Sequence, residues 1–208
     1  GGIGIQYIRA YAPLAGSAKN WQPPIRISTD ADNITPPDLD ISSDGHLHVV
    51  YAKSIGRGSG VYYLSSTDYG ETWSDTKLVY DNSSSERMVS EPKIALGGDG
   101  TIHVVWVEHN YPESFPPIGI RYANSKDGGN WNAPINLGDG PYHYPEVATK
   151  GDQEVHVVWS GANPDRFKFH RWSRNSGIDW LYMWRDKDLG GFQYSPALAL
   201  DSLGRLYW

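Results

Sequence analysis

Ser66-Thr67-Asp68-Tyr69-Gly70-Glu71-Thr72-Trp73 is the stretch on which the reading of this chain turns. The alternating run Gly60-Val61-Tyr62-Tyr63-Leu64-Ser65 precedes it, and a second, Thr76-Lys77-Leu78-Val79-Tyr80, follows. Alternation on both sides of a polar, glycine-containing segment predicts a β-hairpin. Within the turn, Asp68 is suited to accept backbone N–H bonds. Gly70 tolerates positive φ, and Trp73 has a large indole to fold back beneath the strands.

The pattern recurs. Ser125-Lys126-Asp127-Gly128-Gly129-Asn130-Trp131 is one residue shorter and lacks the Thr; Ser173-Arg174-Asn175-Ser176-Gly177-Ile178-Asp179-Trp180 has Asn for Asp and Asp for Thr. Asn20-Trp21 keeps only the tail. The turn-forming positions are read as Ser66, Asp68, Gly70, Thr72 and Trp73, then Ser125, Asp127, Gly129 and Trp131, then Ser173, Asn175, Gly177 and Trp180. A second element alternates with these turns. Pro37 to Ile41, Asp44-Gly45 and His46 to Tyr51 form a tight hairpin, Asp-Gly being a strong turn signal. It returns after Pro92, Pro145 and Pro196, and the four prolines are spaced by 55, 53 and 51 residues. Four strands per such period is the signature of a propeller blade.

Ser-x-Asp-x-Gly-x-Thr-Trp, repeated in this way, resembles the Asp-box or BNR repeat of the sialidase-like β-propellers. The resemblance covers nearly the whole chain and implies an all-β fold, a β-propeller of four-stranded Asp-box blades in one domain, 1–208. With the inner hairpin called A–B and the Asp-box hairpin C–D, the order is CD, ABCD, ABCD, ABCD, AB, or four blade-equivalents. Two arrangements stay open. The last A–B pair completes the first C–D pair and closes a ring, which removes sheet edges; or the chain is part of a larger propeller. The end Leu206-Tyr207-Trp208, two residues short of the Leu47 to Tyr51 pattern, and the start Gly1-Gly2-Ile3, without an initiator Met or signal peptide, favour a processed or partial chain. Catalytic sialidases, by the resemblance, have six blades, more than 208 residues supply at this period.

Composition narrows the function. With no Cys, a disulfide or Cys-based zinc site is excluded. A net charge of −6 without a basic run argues against nucleic acid, and no apolar stretch reaches the length of a membrane span. Nine Trp and fourteen Tyr point first to packing at repeat positions and then to sugar contacts. No cofactor or metal is expected: Asp99-Gly100 and Asp127-Gly128-Gly129 lack the alternating oxygen ligands of a calcium loop. His48, His103 and His156 occupy one repeat position and are read as packing residues. Asn33-Ile34-Thr35 and Asn82-Ser83-Ser84 are glycosylation sequons, relevant in a secreting eukaryote.

In a four-stranded blade the Asp-box turns lie at the end opposite the B–C and D–A loops, so they are read as structural. The loop end is where binding residues gather on a rigid scaffold. Its candidates are Asp38, Arg87, Glu91, His109, His143, Tyr144, Glu146 and Tyr194, with Tyr142 and Gln193 beside them. Aromatic faces stack on sugars, and an Arg fork pairs with a sugar carboxylate. The sialidase resemblance would imply an arginine triad, a Tyr–Glu nucleophilic pair and an Asp acid/base, the Tyr being an exception among glycosidases. That set is not placed here: the Arg-Ile-Pro motif is missing, with Ile25-Arg26-Ile27-Ser28 a distant echo, and no pattern brings Arg87, Arg121 and Arg166 together. Tyr144 and Glu146 alternate as if on one side of a strand and form a weak candidate couple. Three functions remain open. They are an extracellular or cell-surface module, carbohydrate-binding or structural, with glycan or glycoprotein as partner and assembly with further blades, domains or copies of itself; a sialidase-like glycoside hydrolase or a fragment of one; and a protein–protein scaffold.

Overall fold

The computed structural model describes residues 4–28, 33–83, 86–111, 117–161, 167–181, 184–187 (backbone only), 196–201 and 203–207. The fold is all-β. β1 (Gln6–Tyr7) and β2 (Ile25–Arg26) pair as an antiparallel hairpin. A first four-stranded unit holds β3 (Asp38–Ile41), β4 (Leu47–Lys53), β5 (Gly60–Ser66) and β6 (Lys77–Asp81). A second holds β7 (Arg87–Leu96), β8 (Ile102–Asn110), β9 (Pro117–Ser125) and β10 (Ile135–Asp139). A third holds β11 (Tyr142–Lys150), β12 (Glu154–Gly161), β13 (Phe167–Ser173) and β14 (Trp184–Lys187). β15 (Ala199–Leu200) and β16 (Leu206–Tyr207) form the last hairpin. Each unit is an antiparallel meander in chain order.

Among the described residues the two end hairpins form separate sheets, so the end-to-end pairing that would close a four-unit ring is not made. Their two-residue strands offer few ladder bonds. Each hairpin instead leans on its sequence neighbour, the first through Ile5 and Tyr7 on the first unit, the last on β11.

The period-two alternation explains how the units stack. On β4, Val49 and Tyr51 face one way, toward Ile5 and Ile27 of the first hairpin. Val50 and Ala52 face the other way, into a core shared with Val104 and Trp106 of β8. Val105 and Val107 of β8 point in turn at Val157 and Trp159 of β12. β8 is therefore buried on both faces, and its fully covered side chains each contribute roughly 1.5–3 kcal/mol of hydrophobic stabilisation.

The three Ser-x-Asp turns are built from internal hydrogen bonds. In the first, Gly70 N donates to Ser66 Oγ at 2.8 Å, and Thr72 N and Oγ1 donate to the Asp68 carboxylate at 2.9 and 2.5 Å. The Thr72 hydroxyl and amide, then Ser66, hold the Asp68 pKa down to about 2. In the third, Gly177 N reaches Ser173 Oγ at 2.9 Å and Asp179 N reaches Asn175 Oδ1 at 2.9 Å. The second turn corrects the sequence alignment. Gly128, not Gly129, donates to Ser125 Oγ at 2.9 Å and has φ +69°. The missing residue falls before the glycine, and Gly129 instead gives its N–H to Asp127 at 2.9 Å.

The repeated histidines do pack. His48 and His103 each place Nδ1 2.7 Å from a hydroxyl, Tyr63 and Tyr122 respectively, and His156 Nδ1 lies 3.0 Å from His170 Nε2. Of the sequons, Asn82 is 1% exposed and gives its amide to Ser59 Oγ and the Arg87 carbonyl at 3.0 and 2.6 Å, so the folded protein does not present it for glycosylation.

Candidate functional site

The meander places the starts of β3, β7 and β11 at the same end as the finish of β8, opposite the Ser-x-Asp turns. Two of these starts are bulged. The β7–β8 register shifts between Ser90 and Lys93, and the β11–β12 register shifts between His143 and Glu146. The cause is in the sequence: Pro92 and Pro145 have no N–H to give the ladder. The residue before each proline takes a left-handed conformation, Glu91 at φ +52° and Tyr144 at φ +55°. For non-glycine residues this costs about 1–3 kcal/mol each and is a device found at functional sites. The two bulges are joined, since Glu91 Oε2 accepts the Tyr144 N–H at 2.5 Å. The bulge also breaks the alternation by which Tyr144 and Glu146 were expected on one side.

Glu146 turns instead to Lys93, 2.8 Å away. Asp38, Lys93 and Glu146 hold one repeat position on the three adjacent inner strands, each directly after its proline. Asp38 Oδ2 accepts the Ile94 N–H at 3.0 Å, tying β3 to β7. Burial pushes the Asp38 and Glu146 carboxyls up, with Lys93 opposing in both. Burial pulls Lys93 down, but Glu146, then Asp38 and Glu91, leave it above its ordinary value.

Beside the bulges stand two imidazoles. The His109 and His143 rings are 5.8 Å apart, and His143 lies 5.5 Å from the Tyr144 ring. His109 Nε2 is 2.5 Å from Ser90 Oγ, and His143 Nδ1 is 3.5 Å from Glu91 Oε1. The first is a hydrogen bond; the second is a long electrostatic contact.

A third constellation was not singled out from the sequence. Glu108, 1% exposed, ends the apolar run of β8. Its Oε2 accepts Arg121 Nε at 2.9 Å, Arg121 Nη2 at 2.8 Å and Arg87 Nη1 at 3.1 Å. Tyr80 donates its hydroxyl to Oε1 at 3.2 Å. Arg121 also reaches Asp139 at 3.4 Å. Arg87 and Arg121 thus converge, but on an internal carboxylate rather than on open space.

Arg87 leads to a cleft of about 610 Å³, lined by Ile55, Gly56, Ser59, Ser83, Glu86, Arg87 and Tyr111. It lies between the first and second units at the loop end. Tyr111 is 55% exposed and its N–H is fixed by the Glu86 carbonyl at 2.9 Å. The structure therefore gathers Glu91, His109, His143 and Tyr144 in one cluster, Asp38 and Glu146 along the inner strands, and Arg87 at the cleft. Tyr194, Gln193 and Arg166 lie outside the described residues. Among the described residues no group of three or more His, Cys, Asp or Glu is placed to hold a metal ion, and no helix is long and apolar enough to cross a membrane.

No protein-family profile and no curated protein matches the chain. Solved structures do. A Hadza microbial sialidase is similar with a TM-score of 0.53 and 19% identity, over 71% of this chain and 36% of its own. The GH93 α-L-arabinofuranosidase of Fusarium graminearum, in complex with arabinobiose, is similar with a TM-score of 0.56 and 15% identity, over 82% of this chain and 50% of its own. A PL25 ulvan lyase is similar with a TM-score of 0.55 and 12% identity, over 85% of this chain and 48% of its own. The chain spans half or less of the length of these three proteins. At these identities the likeness is one of fold, shared with carbohydrate-processing enzymes.

Proposed function

We propose that the chain is a run of Asp-box blades of a sialidase-like β-propeller, one domain over 1–208 or a part of one, whose loop end binds carbohydrate as an extracellular or cell-surface module. The observation that carries this reading is the cleft of about 610 Å³ beside Arg87, Glu86 and the exposed Tyr111. A phenol face suits stacking on a sugar ring, and an adjacent donor and acceptor suit vicinal hydroxyls; a largely preformed hollow with few convergent polar groups is the usual form of such sites. Among the described residues the two end hairpins form separate sheets, which is in keeping with a ring of more blades than four, supplied by further chain or by copies. The test is a glycan array followed by titration of the best ligand. Tyr111→Ala should weaken binding about tenfold or more, as loss of an aromatic anchor does. A chain that retains no glycan would refute the reading.

A second reading, a sugar-processing enzyme, is favoured by one observation: the Ser90, His109, His143 and Glu91 cluster flanked by two strained bulges. The arginine geometry does not support sialidase chemistry, because Glu108 occupies the convergence point. Turnover of fluorogenic arabinofuranosides or sialosides, lost in His109→Ala, would establish this reading. Absence of turnover with intact binding would leave the module reading alone.

A further inference from the structure

We infer that Asn82 is the positioning residue of the cleft: its buried amide holds the two walls at a fixed spacing, so the site is formed before a sugar arrives. The inference rests on the carbohydrate reading above and adds what shapes that site.

The walls belong to different units. Ile55, Gly56 and Ser59 come from the segment between β4 and β5, and Glu86, Arg87 and Tyr111 from around the start of β7 and the finish of β8. Asn82, 1% exposed, reaches both. A side-chain amide has two hydrogens to give. One goes to Ser59 Oγ on the first wall at 3.0 Å, the other to the Arg87 carbonyl on the second at 2.6 Å. Ser59 Oγ donates in turn to the Ser54 carbonyl at 3.0 Å, and Val89 N donates to that same carbonyl at 3.2 Å, a second tie between the units. On the second wall the Glu86 carbonyl accepts the Tyr111 N–H at 2.9 Å, and Glu108 holds Arg87 Nη1 at 3.1 Å.

The scaffold itself does not require this amide. Asp81 pairs with Gly60 and Asp139 with Gly119, so Asn82 and Gly140 are equivalent. Both make the same backbone bond, Asn82 N to the Ser59 carbonyl at 2.9 Å and Gly140 N to the Ile118 carbonyl at 3.0 Å. Gly140 has no side chain to go further. What differs is the connection that follows: Pro92 comes eleven residues after Asp81, and Pro145 six residues after Asp139. The longer connection brings Ser83, Glu86 and Arg87 to the cleft, and the amide that braces it stands at its first residue. A wall made from an extended loop would have to be ordered when a ligand binds; a brace formed on folding removes that cost from binding.

The test measures association and dissociation rates separately, with arabinobiose and sialyllactose as probes. Asn82→Gly gives the first unit what the second has at Gly140 and should fold. Asn82→Asp keeps the shape but donates neither hydrogen. In both variants, association with whichever probe the wild type binds should slow about tenfold, because only a fraction of the molecules hold the competent spacing. Dissociation should change by less than about twofold, whereas Tyr111→Ala, the loss of a direct contact, should act chiefly on dissociation. A variant that had only lost stability would show unchanged rates and a smaller active fraction. Unchanged association in both variants, or a loss carried by dissociation, overturns this inference and leaves the carbohydrate reading standing. Binding of neither probe, nor of any array glycan, to the wild type overturns both.

Discussion

Tyr122 stands edge-on to Trp180 with ring centroids 4.8 Å apart, although the two belong to neighbouring units. The same pairing joins Tyr63 to Trp131 at 5.6 Å and Tyr7 to Trp73 at 5.2 Å. Each turn tryptophan packs on a tyrosine of the preceding unit, so the turns serve as clasps between sheets as well as hairpin ends. The turn glycine lies under that tyrosine. A Cβ at Gly177, with φ +82°, would overlap the Tyr122 hydroxyl, and one at Gly128 would overlap the Tyr63 ring. Gly177→Ala and Gly128→Ala should each cost about 2–4 kcal/mol, from the left-handed backbone and the overlap together. Gly129→Ala meets only Asp127 Oδ1 at 3.7 Å and should stay within about 0.5 kcal/mol. Urea unfolding of the three variants checks the assignment of Gly128 over Gly129.

That clasp shows where sequence reading reached and where it stopped. The turn around Asp68 was legible because its donors and acceptors lie within a few residues of each other. The Trp131–Tyr63 contact was not, since alternation says that Tyr63 is on one face without saying which sheet covers that face. Tyr144 and Glu146 misled for a related reason. Alternation assumes an unbroken ladder, and Pro145 breaks it. Glu108 was visible as a lone carboxylate ending Ile102-His103-Val104-Val105-Trp106-Val107, but its partner Arg121 could be named only once the β8–β9 register was known. Glu91, His109 and His143 could be expected at one end because hairpin logic alone sends strand starts and strand ends to the same place, and the structure does bring them together.

The Asp68 turn makes stability depend on acid. Its carboxyl has a folded pKa of about 2, below the unfolded value of about 3.9. A carboxylate depressed in this way contributes fully above about pH 4, and its contribution is lost as the pH falls through about 2. Asp68→Asn should fold, because Asn175 fills the equivalent place in the third turn and still accepts the Asp179 N–H at 2.9 Å. Its urea midpoint should fall less steeply than that of the wild type between about pH 4 and pH 2. Parallel acid limbs would mean that Asp68 does not titrate as its hydrogen bonds require.

The third unit differs from the others at one informative position. His170 stands where Tyr63 and Tyr122 stand, three residues before the turn serine. Burial and the neighbouring His156 hold its pKa down to about 4. Burial depresses His156 too, against the pull of Glu154. A histidine depressed below its unfolded value of about 6.5 favours the folded state above that pH, and the benefit is lost as the pH falls from about 6.5 through about 4. His170→Tyr would restore the hydroxyl that His48 and His103 meet at 2.7 Å. The urea midpoint should rise at about pH 5 and change little at about pH 8. An equal shift at both values would make the effect one of packing alone.

Glu108 offers the largest single effect. Glu108→Ala leaves Arg121, 16% exposed in its side chain, facing Arg87 with no carboxylate between them, and removes the acceptor of the Tyr80 hydroxyl. Arg121 would keep only the long contact to the exposed Asp139 at 3.4 Å, and breaking the buried pair should cost about 3–5 kcal/mol. Arg87→Ala should cost about 1 kcal/mol or less, because Arg87 is half exposed and Arg121 keeps its two-pronged contact with the same oxygen. Glu108→Leu combined with Arg121→Met removes both buried charges and should recover most of the loss, since a well-packed apolar pair is often as stable as the ion pair it replaces. The coupling energy from the full cycle of single and double variants, read from urea midpoints, separates the two accounts. A large favourable coupling confirms that Arg121 depends on Glu108. Simple additivity would mean that the arginine is held by Asp139 and solvent, and that Glu108 does not control its charge.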